Sequence, residues 1–259
     1  MTRLLRIPKV QMTIALICII VSANIYRPSM TAFLLPLLAI GLTTIVDILL
    51  LKLRKIEVFF PSAAFVTGSI IGLLHGPNLP IYTLFVVIIL AIFSKHFLKV
   101  SNKHVFNPAA FGLFIGSLLF GVDVSWWGVS FQQLRVTNVF LSFSFLILLV
   151  PGYVSLIKMR RFRIIFSFLI SYWAINYLFN RTITLLDPTV TFFSLVMLPE
   201  PMTSPSKPIQ QVLFGIFVAV FTLVISSSIL NSRFLILNSF PDPLIGALLV
   251  GNLLFFKWK

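Results

Sequence analysis

The sequence has a single cysteine, Cys18, and it lies within an apolar run. One thiol cannot close an internal disulfide, nor hold a structural zinc or an iron–sulfur cluster by itself. Charge is scarce as well. Asp, Glu, Lys and Arg make up 10% of the 259 residues, where a soluble domain carries about a quarter. Acidic residues number 6 against 20 Lys and Arg, for a formal charge of +14. That excess sits in short connections between apolar runs, where basic residues set membrane orientation, so no nucleic-acid partner is expected. The three histidines, His75, His96 and His104, stand near the ends of apolar runs. They offer no facing pair for a haem and read as solvated or interfacial. Neither a nucleophile elbow nor metal-ligand spacing occurs, which leaves no catalytic or metal-binding set of its own.

What the chain has is apolar surface: 59% of its residues are hydrophobic and 28 are phenylalanine. The expected fold class is an all-α integral membrane protein. Apolar runs and their breakers give ten segments, at 10–25, 31–51, 59–75, 80–97, 108–121, 137–152, 164–180, 188–199, 209–230 and 241–256. Arg3, Arg6 and Lys9 before a run ending near Val21-Ser22-Ala23 have the outline of a secretory signal. The run is read instead as the first membrane helix. With the N-terminus inside, only Arg27, Arg135, Arg181 and Arg233 fall on the outer side, and all other basic residues on the inner side. Adding or dropping a span would scramble that division. The expected location is the cell inner membrane, multi-pass, with both termini cytoplasmic.

Ten spans divide into five and five, and an odd unit repeated in tandem must be inverted. The reading is one repeat over 1–121, an outer connecting loop at 122–136, and a second repeat over 137–259. Four apolar stretches begin at a proline: Phe60-Pro61-Ser62, Asn107-Pro108-Ala109, Asp187-Pro188-Thr189 and Asp242-Pro243-Leu244. Proline suits a first helical position, and Asn107, Asp187 and Asp242 are placed to cap the turn that follows. Two of the four fall in each half, in matching slots three and eight, five and ten.

Two stretches carry the strongest local signals. In Asn107-Pro108-Ala109-Ala110, small residues after the proline let another backbone or a flat ligand approach closely, or simply mark a tightly packed helix start. Leu198 to Pro208 holds Pro199, Pro201, Pro205 and Pro208, which forbids a helix. Its hydroxyls, Thr203 and Ser204, either meet the edge of a polar cofactor or belong to an ordinary rigid loop. Trp126 and Trp127 either stack on a flat ring or anchor a membrane boundary. Asp47, inside the second segment, is a candidate for an ion pathway, or pairs with Lys52 or Lys55 at the interface.

Phe106-Asn107-Pro108-Ala109, the Glu200-Pro201-Met202-Thr203-Ser204-Pro205 loop and the ending Pro241-Asp242-Pro243 with Gly251-Asn252-Leu253-Leu254 occur in this order in one family. The chain resembles the B subunit of the sodium-translocating NADH:quinone reductase and the D subunit of the Rnf electron-transport complex. The resemblance implies a ten-spanning, internally duplicated subunit of a flavin-dependent electron-transport complex, possessing redox partner subunits in and on the membrane and coupling electron flow to cation movement. It implies a flavin (FMN or riboflavin) walled by Asn107, Pro108 and Ala109 on one side and Thr203 and Ser204 on another, with Trp126 and Trp127 as stacking candidates. The family's Gly-Ala-Thr flavinylation signature is missing from the loop Gly121 to Thr137, so the flavin is expected to be noncovalent. The alternative is a channel or secondary transporter for a small polar solute that has lost the cofactor. A third possibility is a scaffold for a complex.

Overall fold

The computed structural model describes residues 6–58, 60–100, 103–130, 139–179, 187–226 and 241–258. The first half runs α1 (Pro8–Tyr26), α2 (Met30–Leu53), α3 (Ser62–Leu74), α4 (Ile81–Phe97), a small hairpin of β1 (Lys99–Val100) and β2 (Lys103–His104), and α5 (Pro108–Phe120). The second half runs α6 (Val139–Leu148), α7 (Val150–Tyr153) continued as a π-helix over Val154–Lys158, and α8 (Phe162–Leu178). Then come α9 (Pro188–Phe192) continued as a π-helix over Phe193–Met197, α10 (Pro208–Ser226) and α11 (Pro243–Leu254). Among the described residues the architecture is helical apart from this hairpin, and each apolar segment read from the sequence carries helix.

Local chemistry explains the helix starts. The side chains of Asn107, Asp187 and Asp242 accept from the backbone N–H groups of Ala110, Val190 and Ile245, each three residues on, with proline in the first turn. Each cap satisfies a donor that helix geometry leaves without a partner. Pro61 differs: it occupies the cap position, and α3 begins at Ser62. Its φ of −80° suits that junction, but with no side-chain cap. At the far end of α5, Gly121 takes φ 63°, the left-handed turn that closes a helix and that a Cβ disfavours.

Among the described residues three helices, α1, α2 and α10, are long and apolar enough to cross a membrane. The others are shorter. The 13 residues of α5 rise roughly 20 Å, short of a hydrocarbon core of about 30 Å. Helices such as α2 and α4 are apolar on both faces. Phe33, Leu37, Ile45 and Leu49 of α2 and Phe85, Ile89 and Phe93 of α4 point outward, while the core is built from buried Leu, Ile, Ala and Phe. This all-round apolarity belongs to helices solvated by lipid. Buried hydroxyls fold back onto their own helices, Thr67 onto Ala63 C=O and Thr222 onto Val218 C=O.

Small residues set the closest helix pairs. Gly112 of α5 lies against α4, where a Cβ would stand 2.8 Å from Ala91 Cβ and collide with the Val87 carbonyl. Gly72 of α3 lies against α2, where a Cβ would stand 2.6 Å from Pro36 Cα. Close backbone approach of this kind supplies packing where no hydrophobic effect drives helices together.

Candidate functional site

Leu198 to Lys207 forms turns, as its three prolines dictate, and its position follows from an accounting of carbonyls. In an α-helix the carbonyls of Leu195 and Met197 would accept from residues 199 and 201. Both are prolines with no N–H to give. Side chains from elsewhere replace them: Ser155 Oγ donates to Leu195 O, and Asn107 Nδ2 to Met197 O at 3.3 Å. Further along, Asn252 Nδ2 donates to Thr203 O at 3.1 Å, and the Arg161 guanidinium reaches the carbonyls of Pro205 and Pro201. Burial pushes the Arg161 pKa below its ordinary value, a cost offset by these two acceptors.

Asn107 is the hub. Its Oδ1 caps α5, its Nδ2 holds the end of the α9 π-helix, and its N–H donates to Asn252 Oδ1 at 3.0 Å. The starts of α3 and α5 and this loop then face one another around a cavity. Ala63, Thr67 and Ile70 of α3 line it, with Asn107, Pro108 and Ala109 of α5, Glu200 and Pro201 of the loop, Lys9 and Met12 of α1, Lys95 of α4 and His104 of β2. It offers about 50 Å³ to the centres of water-sized molecules, within about 630 Å³ of empty space that includes its open mouth. Burial, then the charges of Lys99, Lys95 and Lys9, push His104 down to about 4, so its imidazole is neutral at pH 7.

Beside this cavity lies an ion cluster. Asp47 of α2 is 2% exposed and accepts from Lys95 Nζ and from His96 Nε2, both of α4 and both at 2.7 Å. Arg54 Nη1 donates to the His96 carbonyl at 2.8 Å. The sequence alternatives for Asp47 named Lys52 and Lys55, its neighbours along the chain; the actual partners are 48 and 49 residues away. Helix register explains the difference. Lys52 and Lys55 fall beyond the buried stripe of α2, whereas α4 packs directly on it. The histidines are also not solvated: His75, His96 and His104 are 4%, 4% and 9% exposed. His75 and His96 sit at helix ends and His104 in the hairpin, and tertiary packing covers all three.

The remaining candidates fall in two places. Thr203 and Ser204 are buried behind the cavity wall, their hydroxyls turned onto the Glu200 carbonyl at 3.4 and 2.7 Å. They shape the loop that presents Glu200 and Pro201. Trp126 and Trp127 lie at the opposite end of the bundle, each 6% exposed. Trp126 Nε1 donates to Asp242 Oδ2 at 2.6 Å and Trp127 Nε1 to Gly72 O at 2.9 Å. Both rings are packed inside protein. Thr137 lies outside the described residues. Lys95 and His104, absent from the sequence-based site, line the cavity. The only sequence signal for them was their place flanking the Asn107 helix start.

The fit of a flavin can be tested on this cavity. Its accessible space of about 50 Å³ falls well below the roughly 300–1,000 Å³ of small-molecule sites, and its wall is mainly apolar with a few polar groups. A flavin ring would enter here only if the cavity widened, and Trp126 and Trp127 offer no alternative, since their faces and N–H groups are taken up by the protein. Among the described residues no group of His, Cys, Asp and Glu could hold a metal. In comparisons with known proteins, no family model matches the chain and no curated protein matches it.

Proposed function

We propose that this chain is a membrane-embedded subunit of a flavin-dependent electron-transport complex, with ten crossings arranged as two inverted five-helix repeats and both termini on the cytoplasmic side of the cell inner membrane. One observation carries the reading: the cavity at which Asn107, Pro108 and Ala109 from the first half meet Glu200 and Pro201 from the second. The duplication is supported by reciprocal caps. Asn107 caps α5 and grips α11 through Asn252, while Asp242 caps α11 and grips Trp126, just beyond α5. An inverted pair would put these two caps at opposite membrane faces.

In this reading Asn107, Pro108 and Ala109 form one wall for a noncovalent flavin (FMN or riboflavin), and Thr203 and Ser204 brace the loop that forms the other. A bound flavin supplies one- and two-electron exchange. The cavity would have to widen to admit the ring, and the Lys9 and Lys95 side chains, which line it, would then lie beside it. Electrons arrive and leave through other membrane and peripheral redox subunits, since the chain shows no nicotinamide-binding motif of its own.

The test is the visible spectrum of the protein purified in mild detergent, before and after denaturation. Flavin absorbance released by denaturation supports the proposal. A colourless protein that also fails to take up riboflavin overturns it. The second reading, transport of a small polar solute, is favoured by the Asp47–Lys95–His96 cluster beside the cavity. Solute flux in liposomes lacking any redox partner would support that reading instead.

A further inference from the structure

Three segments far apart in the chain meet where α8 and α10 begin. The guanidinium of Arg161, just before α8, reaches the carbonyls of Pro205 and Pro201, just before α10. The Ser206 N–H points to the Trp258 carbonyl at 3.5 Å, which brings the turn Phe256–Trp258 to the same place. Gly215 of α10 packs on Ile164, Ser167 and Phe168 of α8, so the two helices run side by side in one direction. Their N-terminal ends, each with positive partial charge, therefore coincide. α8 has no side-chain cap, and neither helix has an acidic residue in its first turn.

This end is crowded with cations. Lys158, Arg160 and Arg163 flank Arg161, Lys207 precedes α10, and Lys257 adjoins Trp258; all five are exposed. Among the described residues no carboxylate forms an ion pair with any of them. Glu200, the acidic residue of the proline-rich loop, lines the cavity instead. Lys158 and Arg163 rest over the rings of Tyr153 and Phe162, at 5.8 and 4.7 Å, which holds both charges at the edge of the apolar surface. Arg160 takes φ 53°, a left-handed turn that glycine or asparagine adopts more readily, so a charge stands where an easier backbone was open. Exposed apolar stripes lead away from the same end: Phe162, Phe166 and Ile170 on α8, and Ile209, Leu213 and Ile216 on α10.

We propose that the joined starts of α8 and α10 bind the phosphate headgroup of an anionic phospholipid, whose acyl chains lie along the two stripes. Charge complementarity carries the choice of occupant. Five cations without a carboxylate and two helix starts favour a phosphate. They stand at the end of helices that are solvated by lipid, at the level where headgroups lie. A phospholipid also covers the apolar stripes, which a water-borne anion cannot. The site is separate from the cavity and does not depend on what the cavity holds.

The test uses the full chain in mild neutral detergent, titrated with phosphatidylglycerol or phosphatidylcholine, with bound lipid counted by native mass spectrometry. The wild type should prefer phosphatidylglycerol. Each cation near an anionic headgroup contributes about fivefold in affinity, so Arg160→Gln, Arg163→Gln and Lys207→Gln together should weaken that binding about a hundredfold. This variant spares Arg161, which holds the loop, and should unfold at the wild-type temperature in lipid-free detergent. Should it be destabilised, Lys158→Gln with Lys257→Gln leaves the Arg160 turn and both helix starts unchanged and should still lose about twentyfold. Lys52→Gln, Lys55→Gln and Lys103→Gln together remove the same charge from exposed positions elsewhere and should leave the affinity nearly unchanged. Equal losses in the two triple variants would show attraction by net charge alone and overturn the proposal. Equal binding of the two lipids by the wild type would overturn it too. Displacement of the lipid by an equal concentration of inorganic phosphate would assign the cations to a free anion and overturn the lipid as occupant.

Discussion

The backbone N–H of Asn107 donates to the side-chain oxygen of Asn252 at 3.0 Å, across 145 residues of chain. Asn252 passes the connection on, donating to the Thr203 carbonyl, so two asparagines join a helix start, a helix end and a proline-rich loop. Both are buried, at 3% and 0% exposure, where an amide left without partners is costly. Replacing Asn107 with Ala removes the α5 cap and strands the Met197 carbonyl, while the backbone N–H that serves Asn252 remains. The expected loss is about 2–3 kcal/mol. Thermal unfolding in detergent measures it. Asn107→Asp should recover the cap alone, and so fall between the wild type and Ala.

The Asp47–Lys95 pair is buried, and breaking it from one side leaves a charge uncompensated. Asp47→Ala should cost about 3–5 kcal/mol, whereas Asp47→Ala combined with Lys95→Met should recover most of that loss. The double-mutant cycle reads the coupling directly. Additive losses would show that the pair carries no special energy.

Two glycines should respond oppositely to the same change. Gly112→Ala places a methyl against the α4 backbone and Ala91, so α4 and α5 must separate, and stability should fall by about 1–3 kcal/mol. At Gly41 a Cβ would meet nothing within 4 Å, and Ala there should gain about 0.5–1 kcal/mol through helix propensity. Unfolding midpoints of the two variants test the contrast.

His104 makes stability depend on pH. Its folded pKa of about 4 lies below the ordinary 6.5, so the unfolded chain binds a proton that the folded chain refuses between those values. Stability contributed by the neutral ring is complete above about pH 6.5 and is lost as pH falls toward 4. The loss amounts to about 3 kcal/mol by linkage. His104→Gln should flatten that part of the profile. An unchanged slope between pH 6.5 and 4 in the variant would assign the acid sensitivity elsewhere.

Much of the fold is legible because membrane helices are written in composition. The apolar segments at 10–25, 31–51 and 80–97 correspond to α1, α2 and α4 within a few residues. The caps at Asn107, Asp187 and Asp242 follow from local chemistry, since each involves an N–H only three residues away. The π-helical ends at Val154–Lys158 and Phe193–Met197 were not legible; they are joined by a bond between residues 40 apart, Ser155 to the Leu195 carbonyl, with no local signal. The candidate site divides in the same way. Asn107, Pro108 and Ala109 reach the cavity because one helix start carries all three. Thr203 and Ser204 do not, because turn geometry points their hydroxyls back at Glu200.

The sequence by itself determined that this is a helical membrane protein, where most of its helices begin, and that Leu198 to Lys207 is not one of them. These follow from properties local to a few residues: apolar side chains, proline's missing N–H, and an Asn or Asp oxygen beside a free amide. Only the tertiary structure decided that Asp47 pairs with Lys95 and His96, that Trp126 and Trp127 face protein, and that Asn107 and Asn252 meet. Each of these is a contact between groups far apart in the chain. Which partner satisfies a buried charge or amide depends on helix register and packing, and neither is written in the residues beside it.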